Sequence, residues 1–182
     1  MDLKNNHYFV FDVESIGLHG EGFAVAGGVY GSEGSARWEF CFACPTDEAA
    51  GLNLDRQWVK NNIPLLELTH RNTLQVRLAF WNEWERARKT YSNIIMAGEC
   101  IWPVEANFLS LCIQDDAARL ETSPYPCHDI SSIMLAAGLD PMKTYDRTES
   151  EKPVHNPLAD ARQSARLLSL AIRELNKKSA AK

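Results

Sequence analysis

Apolar positions in the first quarter of the chain follow the pattern of β-strands. Residues 7–14 (HYFVFDVE) are aromatic and β-branched, which predicts a buried strand. Glycines interrupt the chain before a second apolar run at residues 23–31, and a short turn separates that run from a third, alternating one at residues 36–44. Strands joined by such short turns pair with their neighbours, so the sequence predicts an antiparallel three-stranded meander.

From residue 53 the apolar period changes to three or four residues, which is typical of amphipathic helices. We predict one helix over residues 53–67, with Asn53 or Asp55 as its cap, and a longer one over residues 73–91. The apolar face predicted for the longer helix consists of Leu74, Leu78, Trp81, Trp84 and Ala87.

The second half of the chain alternates short strands and helices. The predicted strands are residues 93–98 and 125–130, and the predicted helices open at Pro103, span residues 131–138, and run from Asn156-Pro157 into a frayed lysine-rich tail. A meander followed by alternating helices and strands predicts an α/β fold, in which helices flank a mixed sheet of antiparallel and parallel strands. The 182 residues contain no repeat or linker, so we expect a single domain spanning residues 1–182.

Charge and composition limit the classes of function that the chain can have. The net charge of −5 argues against a broad basic face for nucleic acid, but it is compatible with an enzyme that grips a few phosphates at a metal site. The sequence has neither a signal-like start nor an apolar stretch long enough for a membrane span. Cys41 and Cys44 form a CxxC pair at a predicted strand end without further zinc ligands. We therefore expect free thiols and a cytoplasmic protein with no membrane association.

The first strand carries two carboxylates, Asp12 and Glu14. Residues two apart on a strand point to the same face. Such a pair in an apolar strand is costly unless protons, donors or cations compensate it, and carboxylate oxygens are ligands for hard divalent cations. The pattern is also frequent by chance, so a pair at the end of a sheet facing water is the alternative.

A second group of candidates lies in HNPLADA, residues 155–161. Asn156 is a good helix cap and Pro157 a good first residue, which places His155 just before a helix and Asp160 in its first turns. His155 is then a candidate base and Asp160 a candidate ligand. The alternative is a loop histidine and a carboxylate that the helix dipole favours.

Taken together, these motifs resemble a known family. FDVESIGL (residues 11–18) is similar to the FDxETTGL opening of the DEDDh 3′–5′ exonucleases, a superfamily that includes ribonuclease T, oligoribonuclease and the proofreading subunit of bacterial DNA polymerase III. AVAGGVY, HDISSIMLAAG and HNPLADA resemble, in the same order, the family's second strand, its strand-to-helix segment and its closing His-x4-Asp motif. Asn156 stands where the tyrosine subclass has its tyrosine, and His155 precedes it, so the resemblance is to the histidine subclass.

The resemblance implies a ribonuclease-H-like fold and hydrolysis with two divalent cations, Mg²⁺ or Mn²⁺. By the same resemblance Asp12 would bridge both cations, Glu14 and Asp160 would hold the cation nearer the attacking water, and His155 would accept that water's proton. An unperturbed histidine titrates at about pH 6.5, which suits a base near neutrality. The product would be a nucleoside 5′-monophosphate.

One position departs from the family pattern. The family's fourth carboxylate is the aspartate of Phe-Asp-x-x-Phe-Leu, and here VEANFL (residues 104–109) puts Glu105 there. Glu105 would be the fourth catalytic ligand, or a first-turn acid favoured by the helix dipole. Glu99, at the end of the preceding strand, is a rival ligand. Asp129 is predicted to cap the next helix, with His128 structural.

Three further residues are candidates for substrate binding. Ser15 and Leu18 match positions where the family contacts the terminal nucleotide, with a turn serine and a packed leucine as the alternatives. Trp102, next to the Glu105 segment, is a candidate for lining the substrate groove. Trp81 and Trp84 are predicted to lie in the core or at an interface, although Trp58 and these tryptophans would also suit base stacking.

We therefore expect a 3′–5′ exonuclease acting on the 3′ end of single-stranded RNA or DNA. The acidic charge favours RNA or short oligonucleotides. A ribonuclease-H-like module that binds nucleic acid or protein without cleaving is the main alternative, and a phosphoesterase of small nucleotides is the third. The tryptophan-rich helix is a candidate interface for a homodimer.

Overall fold

Five strands form one mixed sheet at the centre of the protein. A computed structural model describes residues 6–180, and the strand order across the sheet is β3-β2-β1-β4-β5. The strands are β1 (His7–Ser15), β2 (Gly22–Gly31), β3 (Ala36–Ala43), β4 (Ile94–Gly98) and β5 (His128–Asp129). The first three form an antiparallel meander, while β4 pairs parallel with β1 and β5 parallel with β4. The predicted mixed α/β sheet is confirmed.

Helices cover both faces of this sheet. They are α1 (Asn53–Asn62), α2 (Thr73–Thr90), α3 (Val104–Asp115), α4 (Ile130–Ala137) and α5 (Pro157–Ala180). One buried cluster includes side chains of β1, α2 and α3, and a second includes those of β1, α4 and α5. Because β1 and β2 are covered on both sides, every residue of β2 is buried. Within residues 6–180, no helix combines the length and apolarity needed to cross a membrane.

The predicted helix over residues 53–67 is shorter than expected. It ends at Asn62 because Pro64 disfavours helical geometry in the residue before it, and Ile63 is extended, with φ −88° and ψ 131°. The predicted caps are also wrong: Leu52 is the N-cap residue and no side chain caps this end. Asp55 lies in the first turn instead.

The buried face of α2 differs from the predicted one at its beginning. Leu74 and Leu78 are about half exposed, whereas Trp81 and Trp84 are each only 4% exposed. The other buried residues are Thr73, Val76, Arg77, Phe80 and Ala87. Arg77 lies on this face because it pairs with Glu21 and Asp115. Trp81 and Trp84 are therefore core residues, and their side chains are not available for the predicted dimer interface.

The remaining boundaries lie close to their predictions. Helix α3 begins at Val104, with Pro103 as its N-cap residue, and β5 is limited to two residues because Asp129 caps α4 by accepting from the Ser132 N–H at 2.8 Å. Helix α5 continues through Lys177 and Lys178 to Ala180. The lysine-rich segment is thus helical as far as the structure describes it, and the rest of the predicted tail, residues 181–182, lies outside the described residues.

Candidate metal centre

The site lies where β1 extends beyond its parallel neighbour. Strand β4 pairs with β1 only as far as Val10, so Asp12 and Glu14 come after the end of this ladder. On the other side β1 is still paired with β2, with Asp12 opposite Ala26 and Glu14 opposite Ala24. From β1 the chain continues to β2 on one side of the sheet, and from β4 it continues to β5 on the other side. Ligands of open α/β sheets bind at the carboxyl ends of the strands at such a point.

Three of the predicted site residues meet here. One ligand atom each from Glu14, His155 and Asp160 lies within 4.8 Å of the others. Glu14 is 9% exposed, and the other two are partly buried. The fold thus brings residues from opposite ends of the chain into a group with the spacing and the donor atoms of a cation site.

Asp12 lies beside this group, and its pKa is affected by the carboxylates around it. Burial raises its pKa well above the ordinary value, and four neighbouring carboxylates raise it further. In order of effect these are Glu105, Glu14, Asp160 and Glu99. An acidic neighbourhood of this kind favours protons or cations, because ionised carboxylates repel one another in a poorly solvated place.

The other acids respond in the same direction. Burial, followed by the charges of Asp160 and Glu105, raises the pKa of Glu14 to about 8. Burial also raises the pKa of Asp160, although its ion pair with Arg147 works against that change.

Glu105 faces the cluster from the first turn of α3. It is 5% exposed, and its Oε1 accepts from the backbone N–H of Val13 at 3.3 Å. Burial raises its pKa to about 7, against the effect of this hydrogen bond. Glu105 is therefore aimed at β1, between Asp12 and Glu14 along the chain, although it lies outside the closest group of three.

Glu99 also belongs to this neighbourhood. Its Oε2 accepts from the Ser164 hydroxyl at 2.9 Å, and its charge contributes to the raised pKa values of Asp12 and Glu105. The sequence identified it as a rival of Glu105. In the structure the two glutamates are neighbours, so the position of Glu105 does not exclude Glu99.

The start of α5 fixes His155 and Asp160 relative to each other. The side chain of Asn156 caps the helix by accepting from the N–H groups of Leu158 at 3.1 Å and Ala159 at 3.2 Å, as predicted. His155 has a φ of +61°, a left-handed conformation that is uncommon for residues other than glycine. Residues held in this region concentrate at functional sites.

A cleft of about 400 Å³ opens beside Glu14 and His155 and contains two of the predicted substrate residues. Leu18 is 66% exposed there, so it is not the packed leucine of the alternative interpretation. Ser15 is buried, and its hydroxyl donates to the Gly17 carbonyl at 2.7 Å. The turn role of Ser15 is therefore present, while its substrate role stays a prediction.

The same cleft contains two residues that are not among the predicted site residues, although Trp58 is one of the tryptophans suited to base stacking. Trp58, half exposed on α1, lies edge-on to His155 with ring centroids 5.4 Å apart. Asp55, one turn earlier, packs against Gly17, where any Cβ would lie 2.4 Å from its carboxylate. Trp58 is a tryptophan in a mostly polar helix, and the sequence alone did not distinguish it from a packing residue.

Trp102 lies apart from this cleft. It is 77% exposed and lines a neighbouring groove together with His19 and Asn107. The structure therefore does not bring Trp102 to the Glu14–His155 cleft, and its predicted contact with substrate would need a chain that reaches the second groove.

Known proteins of similar structure have the same architecture. The predicted ribonuclease-H-like fold is confirmed. A solved structure of the zinc-ion-bound complex of E. coli ExoI with single-stranded DNA matches this chain with a TM-score of 0.61 and 14% sequence identity. The match covers 98% of this chain and 42% of the ExoI chain, so the protein spans less than half the length of that neighbour. No protein-family model and no curated protein matches the sequence.

Proposed function

We propose that this protein is a metal-dependent 3′–5′ exonuclease that releases nucleoside 5′-monophosphates from single-stranded DNA or RNA. The observation that carries the proposal is the meeting of Glu14, His155 and Asp160 within 4.8 Å at the end of β1. The exonuclease fold and the single-stranded DNA bound to the structural neighbour support it.

The donor set fits divalent cations. Asp12, Glu14, Glu105 and Asp160 are all carboxylates, the ligand type that Mg²⁺ and Mn²⁺ prefer, and the raised pKa values of Asp12 and Glu14 show that their negative charges are poorly compensated by the protein alone. When bound, two such cations would make a bound water more acidic and stabilise negative charge on the phosphate and the leaving oxygen.

The protein's own residues would divide the remaining work. His155 would accept one proton from the attacking water as the new bond to phosphorus forms. The bond between phosphorus and the 3′ oxygen of the preceding nucleotide then breaks, and that oxygen takes a proton from solvent. Leu18 and Trp58, exposed in the cleft beside His155, would contact the terminal nucleotide.

The direct test is cleavage of single-stranded DNA and RNA oligonucleotides with Mn²⁺ present and with EDTA. We expect label at the 3′ end to be released as mononucleotide first, while substrates labelled at the 5′ end shorten progressively. Asp12→Asn, which keeps the size of the side chain, should abolish both. Asp47→Asn, at an exposed carboxylate outside the cluster, is the matched control and should leave the rate unchanged.

Each contrary result has a definite meaning. Activity that survives Asp12→Asn refutes the assignment of the site. Release of nucleotides from the 5′ end refutes the direction. Hydrolysis of mononucleotide esters without shortening of chains identifies a small-nucleotide phosphoesterase instead.

A non-cleaving binding module is the second candidate, and one observation favours it. Two of the acids already have partners within the protein: Glu105 accepts from Val13, and Asp160 is paired with Arg147. If these contacts exclude cations, calorimetric titration with Mn²⁺ will show no binding at millimolar concentration. Binding in that range, together with its loss in Asp12→Asn, favours the exonuclease.

A further inference from the structure

Arg147, in the segment before α5, brings a positive charge of the protein itself to the acidic cluster. The Nη1 of Arg147 pairs with Asp160 Oδ1 and also donates to the backbone carbonyl of Glu151 at 2.8 Å. The same guanidinium acts electrostatically on Glu99. Neither the sequence motifs nor the resemblance gives Arg147 a role.

Arg147 belongs to a segment that is tied to α5 by hydrogen bonds along its length. We call residues 145–151 the anchoring segment. Gln163 donates to the Tyr145 carbonyl at 3.3 Å, and Arg162 donates to the Ser150 carbonyl at 3.1 Å. Both donors lie on the helix that carries Asp160, so the segment and this acid are held by one element.

An ion pair between the buried Glu151 and the partly exposed Arg166 fixes the end of the anchoring segment. Glu151 is 3% exposed, and its carboxylate accepts from Arg166 Nε at 2.6 Å and from Arg166 Nη2 at 2.9 Å. Arg166 Nη2 also donates to the Asp146 carbonyl at 2.7 Å. Bidentate pairs of this kind restrict geometry strongly, so the backbone on both sides of Arg147 has a fixed position relative to Asp160.

Arg147 also supplies a positive charge, which balances one carboxylate that two divalent cations would leave uncompensated. Five carboxylates share this neighbourhood, namely Asp12, Glu14, Glu99, Glu105 and Asp160. Two divalent cations offset four of these negative charges, and the guanidinium offsets the fifth. Its planar donors suit a carboxylate and a carbonyl at once, whereas a lysine ammonium would act as a point charge.

The geometry assigns to Arg147 the role of a positioning residue, which holds one oxygen of Asp160 and thereby orients the other for a divalent cation. This inference rests on the proposed function of the site. Removal of a group that hydrogen-bonds to a metal ligand lowers metal affinity or activity by about 10-fold to 100-fold. The opposing possibility is that Arg147 only fills the cation's place and is displaced when the cation binds.

Titration of the whole protein with Mn²⁺ separates these possibilities. For a positioning residue, we expect Arg147→Ala to weaken Mn²⁺ binding by about 10-fold to 100-fold and to slow release of 3′ label by a similar factor. Added guanidinium ion should restore part of the rate in this variant and leave the wild type unchanged. A displaced placeholder predicts the reverse, with Mn²⁺ bound equally or more tightly and the rate unchanged, and that result would overturn the inference.

Two further variants complete the design. Lys152→Ala removes an exposed cation that directly follows the anchoring segment and pairs with Glu149 within it, and this variant should match the wild type in both measurements. If Arg147→Ala does not fold, Arg147→Lys decides, with weakened Mn²⁺ binding supporting the role and wild-type binding overturning it. A wild type that binds Mn²⁺ but cleaves nothing would refute the proposed function, while the calorimetric comparison still tests Arg147.

Discussion

Replacement of Glu14 with glutamine is predicted to stabilise the metal-free protein, and by more at high pH than at low pH. Burial, the largest cause, raises the pKa of the Glu14 carboxyl from 4.5 to about 8. In the unfolded chain this carboxyl ionises near its ordinary value. Between these two pKa values the folded state therefore keeps a proton that the unfolded state has lost, and the stability of the folded state falls as the pH rises.

The size of the effect follows from the two pKa values. One unit of difference corresponds to about 1.36 kcal/mol, and between pH 5 and pH 9 most of the interval from 4.5 to 8 is crossed. The wild type should lose about 4 kcal/mol over this range relative to Glu14→Gln, whose amide does not titrate. Below the unfolded pKa both states are protonated and the difference disappears.

Urea denaturation in EDTA at pH 5, 7 and 9 measures this difference, with tryptophan fluorescence as the signal. Glu121→Gln, at an exposed glutamate, is the matched control and should follow the wild type at every pH. A constant gap between wild type and Glu14→Gln across the three pH values would refute the reasoning, as would a gap that narrows with rising pH. Added Mn²⁺ should stabilise the wild type more than the variant, because the variant lacks one proposed ligand.

Four further predictions test the site and its support. His155→Gln should slow 3′-label release by about 10²-fold to 10⁴-fold because it removes the proposed base. Glu105→Ala should slow it about 100-fold, and Glu105→Asp less, because the Ala variant loses the contact with Val13. In urea denaturation, Phe80→Ala should cost about 3–5 kcal/mol because the ring is fully buried. Asn156→Ala should cost about 1 kcal/mol through the lost cap.

Each of these has an outcome that contradicts it. Wild-type rates in His155→Gln would exclude the histidine as base, and wild-type rates in Glu105→Ala would reduce this glutamate to a first-turn acid. A loss below 1 kcal/mol in Phe80→Ala would contradict the expected cost of a cavity at this position. A folded Asn156→Ala protein with an unchanged free energy of unfolding would show that the cap contributes nothing measurable.

The fold could be predicted well from the sequence where one periodicity dominated. The meander followed from three apolar runs with short turns, and the start of α5 followed from Asn156 and Pro157. The errors came from tertiary effects. Leu74 and Leu78 fit a helical period as well as the buried residues do, but at the beginning of α2 it is Arg77, paired with Glu21 and Asp115, that lies on the buried face.

The site was predictable to the extent that its residues lie in short motifs. Asp12 and Glu14 share one strand, and His155 and Asp160 share one helix start, so local spacing identified each pair. Arg147 and Trp58 could not be assigned in this way. Arg147 reaches Asp160 because hydrogen bonds hold the anchoring segment on α5. Trp58 reaches His155 because α1 packs against the loop after β1, where Asp55 contacts Gly17.

Several departures from stable local structure coincide in this one place. Strand β1 carries carboxylates whose pKa values are raised by burial, and His155 has a left-handed backbone conformation, which most residues avoid. Ordinary stabilising features surround them, including the Asn156 cap and the ion pair of Glu151 with Arg166. Sequences agree with their folds at most positions and depart from this agreement mainly at functional sites. The acids at the end of β1 follow this pattern, which supports the proposed binding of cations.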